Sequence, residues 1–202
     1  MNPDTVLEIG NEALAMLGAQ PVMQADEGTE LASTLFRIGP SSLAAVLTAH
    51  PWACTMRQAR LPRRLAPPEL GFRYAYALPA EMLAFRGAYA GSHPGAPPIA
   101  VWRIQGEELL CDAEEVWAEF QAEPPLARWP PHLRHFARAA LAADLALNIT
   151  GSNSDAQLMT QRAWGLGEQS LLAQARRVEA QQQPHMAMTD FPLIAARHGG
   201  AW

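Results

Sequence analysis

The 202-residue sequence contains no lysine, so all 15 of its fixed cationic side chains are arginine. This absence removes Schiff-base chemistry and the phosphate-gripping lysine of a P-loop. Cysteine is almost as scarce. Cys54 and Cys111 are the two present, too far apart for a CxxC pair, and are expected to be reduced thiols. No apolar run approaches the roughly 20 residues of a bilayer span, which predicts a soluble chain with no membrane partner. The first residues, Met1-Asn2-Pro3-Asp4-Thr5, have neither the basic nor the apolar block of a signal peptide, so synthesis in a cytoplasm is expected. Cationic charge is also in deficit. With 20 acidic residues the net charge is −5 and no basic run occurs, a poor basis for gripping phosphate backbones.

What is present is a globular balance, 49% hydrophobic and 17% charged, enough for one core of ordinary size. Proline divides the chain. Of its 17 prolines, 12 lie between residues 50 and 131, together with four of the six tryptophans, whereas the flanks are rich in alanine and leucine. The flanks therefore read as helical and the middle as strands joined by turns.

A first helix over about 5–17, capped by Thr5, carries Leu7, Leu14 and Leu17. A second carries Leu31, Leu35, Ile38, Leu43, Val46 and Leu47, with a kink or break expected at Gly39-Pro40. In the middle, Arg73–Leu78 alternates as a strand, and Ile99–Ile104, Gly106 and Leu109–Cys111 read as a hairpin. Gly91–Pro98 reads as an exposed loop. Pro130 and Pro131 open a third helix with the stripe Leu133, Phe136, Ala137, Ala140, Leu141 and Leu145, ending at Thr150-Gly151. Ser154-Asp155-Ala156-Gln157 is expected to cap a fourth, running to about Gln183 with the seam Met159, Ala163, Leu166, Ser170 and Ala173. Gly165 and Gly167 each cost that helix about 1 kcal/mol relative to alanine.

The resulting expectation is an α+β chain: an antiparallel helical bundle over residues 1–53 and 130–183, a small antiparallel β insert over 54–129, and an extended C-terminal arm over 184–202. In the bundle the third and fourth helices pair through alanines, with Leu141, Leu145 and Leu166 buried. Trp52, Tyr74, Tyr76 and Trp102 are expected to belong to the core of the insert.

G-x-S-x-G and H-E-x-x-H are missing, and no cofactor is expected. His132 and His135 lie three apart on one helix, as two metal ligands would, yet no third ligand is near in sequence. Glu107-Glu108 and Glu114-Glu115 could supply paired carboxylates but fall where solvated turns are expected. The pairs Arg63-Arg64 and Arg176-Arg177 are weak as an anion patch. No catalytic residue is assigned.

The order of short motifs is more specific than any one of them. Asn11-Glu12-Ala13-Leu14 with Leu17-Gly18 is followed by His50-Pro51-Trp52, Arg57 and Leu61, then Phe72–Pro79 with Leu83. The Trp102–Leu109 hairpin comes next, and then Leu141–Ala146 running into Ile149-Thr150-Gly151-Ser152. This series, over residues 8–180, resembles the tail tubular protein A family of bacteriophages, adaptors between portal and tail, and similar adaptors of gene transfer agents. The sequence departs from that pattern at Pro40, at Glu81–Ala84 and at Trp117.

The resemblance implies a non-catalytic ring, usually of twelve copies, at the head–tail interface of a virion or gene-transfer-agent particle. Its partners would be the portal protein, neighbouring copies, and a tail, stopper or nozzle protein, with double-stranded DNA passing through the lumen unread. A repeated net negative charge would keep DNA from adhering to that wall. The C-terminal arm would dock on the portal or a neighbour, with Phe191, Ile194 and Trp202 as apolar anchors and Arg197 as the cation. Two other classes compete: an enzyme with a dispersed site, and a monomeric scaffold or chaperone. Particle mass distinguishes them.

Overall fold

In the computed structural model, residues 1–69, 71–93 and 96–182 are described. The docking residues Phe191, Ile194, Arg197 and Trp202, and the arm they belong to, lie outside the described residues.

Five α-helices are described: α1 (Pro3–Met16), α2 (Glu30–Thr48), α3 (Pro131–Thr150), α4 (Asn153–Trp164) and α5 (Leu171–Gln182). Between α2 and α3 run six strands: β1 (Met56–Arg60), β2 (Tyr74–Ala77), β3 (Met82–Tyr89), β4 (Trp102–Gln105), β5 (Glu108–Cys111) and β6 (Trp117–Ala122). They form two antiparallel three-stranded sheets, ordered β1-β6-β3 and β2-β5-β4. The chain is therefore a mixed α+β fold, and the expected helical bundle with a small β insert is incorrect. The reason lies in the apolar residues of the middle. Tyr76, Leu109 and Cys111 from one sheet and Ala88, Ala118 and Phe120 from the other close a core of their own, separate from the helical one. Phe85 and Trp102 join the two sheets edge to face, 4.8 Å between ring centroids.

Three helix boundaries also differ from the sequence expectation. Asn2, not Thr5, caps α1, its side chain accepting from the Asp4 amide, and Pro3 occupies the first turn, where its missing N–H costs nothing. The fourth helix is two helices. α4 ends at Gly165, whose ψ of 156° leaves the helix and where a Cβ would lie 2.2 Å from the Gln161 carbonyl oxygen, and Gly167 turns at φ +111° before α5 begins. Ser152, not Ser154, caps α4, and Leu166 sits in the turn fully exposed rather than buried.

The expected break in α2 is absent as well. Pro40 lies inside a continuous 19-residue helix. It forgoes one backbone bond, but the buried stripe Leu35, Leu43, Val46 and Leu47 spans it, and packing outweighs the lost bond. Gly39 serves contact rather than breakage: a Cβ there would come 2.7 Å from Val6 Cγ1, so its absence lets α1 and α2 approach closely. At mean hydropathy 1.2, α2 is the one helix among the described residues long and apolar enough to cross a membrane, and here its apolar stripe packs into the helical core.

The helical core centres on α3, which is buried at Leu133, Phe136, Leu141 and Leu145 and along its alanines. Phe136 meets Trp164 of α4 edge to face at 4.9 Å. Both cysteines are free thiols, Cys54 packed beside the helical core and Cys111 buried in the sheet core.

Candidate functional site

The helices and sheets meet at the turn after α2, and the geometry there is dense in polar side chains. Trp52 is fully buried in the helical core rather than in the sheets, its indole N–H donating to the Val46 carbonyl at 3.0 Å. His50 lies edge-on to it at 4.8 Å, and Phe136 is tilted against it at 6.3 Å. Into this corner β6 sends Gln121, fully buried. Its Nε2 faces the carbonyls of Leu47 and His50, each at 2.8 Å, and Thr55 Oγ1 at 2.7 Å. Its Oε1 accepts from Arg86 Nε at 2.8 Å and from Arg86 Nη2, which also donates to the Thr48 carbonyl at 3.0 Å. Three oxygens on one side and a guanidinium on the other fix the amide's orientation. The last turn of α2 is thereby tied to β3 and β6.

From the opposite side α5 closes the same corner. Glu179 is 1% exposed; its Oε1 accepts from the Ala53 amide at 2.5 Å and its Oε2 lies 2.8 Å from His132 Nε2. Arg176 Nη2 donates to the Ala49 carbonyl at 2.7 Å. Burial and the Glu179 charge push the Cys54 thiol up to about 11, so it stays protonated and is a poor nucleophile near neutral pH. Burial holds the His50 imidazole below its ordinary range, with Arg176 adding to the effect and Glu179 opposing it. An enclosed His–carboxylate pair of this kind positions helices; with side chains 10% and 2% exposed it admits no substrate.

The other sequence candidates are placed apart. His132 turns to Glu179, whereas His135 Nδ1 meets Arg138 Nη2 at 2.6 Å, so the two histidines do not converge. Among the described residues no group of three or more His, Cys, Asp or Glu is arranged to hold a metal ion. Glu108 pairs with Arg64 at 3.0 Å and Glu115 with Arg60 at 2.7 Å, which ties both acids to exposed ion pairs. Arg63 lies over the Tyr74 ring at 3.8 Å and Arg177 pairs with Glu168 at 3.0 Å. Glu179, Gln121 and Arg86 were not singled out by sequence. No local spacing distinguishes them from solvated residues.

Among the described residues, exposed apolar side chains gather on both halves of the molecule. The edge strand β4 presents Trp102 and Ile104, 39% and 38% exposed, next to Val101. On the helical side Leu147 of α3 and Leu158 of α4 are exposed, as is Leu166 in the turn that follows. Compared with known protein families and with curated proteins, the chain matches none.

Proposed function

We propose that the protein is a structural head–tail connector subunit, a member of a ring seated between portal and tail through which double-stranded DNA passes. The observation that carries this reading is the ordered series of motifs from Asn11 to Ser152. Several of its members have plain architectural duties, which is what a structural family would keep. The Asn11 side chain bonds both the amide and the carbonyl of Val22 at 2.8 Å, closing the connection after α1, and Trp52 fills the corner between helices and sheets. A ring subunit also needs two different faces for its two neighbours, and exposed apolar residues on β4 and on α3–α4 offer one on each half of the molecule. The net charge of −5 suits a lumen that DNA must slide through.

Mixing the protein with a portal protein from the same source and measuring mass by light scattering tests the proposal. A stoichiometric ring on the portal is expected. A persistent monomer with a saturable enzymatic activity overturns it.

A further inference from the structure

We propose that the cleft between α1, α3 and α4 binds a phosphate group, held by Arg138, Arg162 and His135. The cleft, about 430 Å³, is lined by Glu12, Ala15, Met16, His135, Arg138 and Arg162. Two guanidiniums and an imidazole thus face one opening, and neither guanidinium has an anion in hydrogen-bond contact. Arg138 spends Nη2 on His135 Nδ1, its Nη1 stands 4.0 Å from Glu12 Oε2, and its Nε is covered without any partner. Arg162 makes no hydrogen bond or ion pair among the described residues. Glu12 offsets Arg138 in part, its Oε2 forming that long ion pair while its Oε1 is engaged by Arg134 Nε at 2.7 Å and by Arg134 Nη2, and it leaves Arg162 uncompensated.

An imidazole nitrogen is a weak partner for a guanidinium, and a covered N–H without an acceptor is unfavourable. An oxyanion entering the cleft corrects both, drawing the Arg138 guanidinium off His135 and giving its Nε an acceptor. His135 is prepared for the same task. A guanidinium only donates, so Nδ1 accepts and the ring proton sits on Nε2, free to donate. Burial, then Arg138 and Arg162, hold this imidazole below its ordinary range, in agreement with a neutral ring. The donors come from two helices, Arg138 and His135 from α3 and Arg162 from α4. With two guanidiniums and a ring N–H available, the cleft offers more donors than the two oxygens of a carboxylate use, and a phosphate, with more acceptor oxygens, engages them more fully. The phosphate can belong to a free phosphate ester or to a nucleic-acid backbone; the chemistry recognised is the same.

The test is a titration of the full chain with inorganic phosphate at constant ionic strength, following the imidazole NMR signal of His135, with a short DNA duplex as a second arm. Saturable displacement at millimolar phosphate is expected, weakened about tenfold in Arg138→Gln and in Arg162→Gln and unchanged in Arg177→Gln. Arg162 is exposed, so its replacement leaves the fold intact. If the duplex moves the same signal at lower concentration, the backbone of DNA is the source. If it leaves His135 unmoved while phosphate displaces it, a free phosphate ester is the ligand. The absence of saturable displacement by phosphate in the unaltered protein, or equal affinity in all three variants, overturns the proposal.

Discussion

A buried amide satisfies more of this molecule than its size suggests. Gln121 answers the carbonyls of Leu47 and His50 at the end of α2 and holds the Arg86 guanidinium, so its removal leaves several buried polar groups unpaired at once. Gln121→Leu fills the space but satisfies none of them, and should cost about 2 kcal/mol in urea denaturation, the scale of buried carbonyls left without a partner; the exposed Arg86 guanidinium can turn to water. A loss under about 0.5 kcal/mol, ordinary for a surface site, would show that water replaces the amide. The histidines give a second prediction at this scale. His50 and His135 are both held below the ordinary imidazole range, chiefly by burial, so the unfolded chain binds protons that the folded chain resists. Their neutral forms are fully compatible with the fold above the unfolded value of about 6.5. Stability is lost as pH falls below it, until the folded rings are protonated too. The urea midpoint should therefore drop between about pH 7 and pH 5, and His50→Gln with His135→Gln should flatten that drop. An unchanged slope in the double variant would assign the acid sensitivity to carboxylates instead.

Among the elements, those with a strong apolar period were legible and those shaped by close contact were not. The stripe from Leu133 to Leu145 announced α3, and the turn at Gly106 announced the β4–β5 hairpin, because each signal is local. Gly39-Pro40 read as a break since a sequence cannot show that Val6 of another helix needs the room a side chain would take. The seam drawn through Met159, Ala163 and Leu166 failed for the opposite reason: its period continued past Gly165, where the backbone carbonyl of Gln161 forbids a side chain. Paired substitutions measure both outcomes. Leu141 is fully buried, and Leu141→Ala should cost about 2 to 5 kcal/mol; Leu166 is fully exposed, and Leu166→Ala should stay within about 0.5 kcal/mol. Similar losses at the two positions, in thermal or denaturant unfolding, would mean that Leu166 folds back onto the helices in solution.

For the whole molecule, the strands were legible one by one but their pairing into two sheets was not, because β1 joins β6 and β2 joins β5 across long stretches of chain that leave no periodic trace. The corner that organises the molecule was equally hidden: His50-Pro51-Trp52 was visible as a motif, whereas Gln121 and Glu179, which reach it from 71 and 126 residues away, were not. That corner also decides how the C-terminal segment can be tested. Glu179 and Arg176 fasten α5 to residues 49–53, and Leu171 and Ala175 belong to the helical core, so residues 171–179 supply contacts that hold the last described helix. Removal of residues 185–202 takes away none of them. The truncated protein should therefore unfold within a few degrees of the full chain, since a stability change of about 1 kcal/mol moves the midpoint of a domain of this size by only about 2–4 °C. If the arm carrying Phe191, Ile194, Arg197 and Trp202 is what fastens the subunit to its portal, as the resemblance implies, the same truncation should abolish the portal complex in light scattering. A truncated chain that joins the portal with unaltered affinity removes the arm from the interface, and one that melts far below the full chain makes it part of the fold; either result refutes the docking assignment while leaving ring formation by the rest of the subunit open to its own measurement.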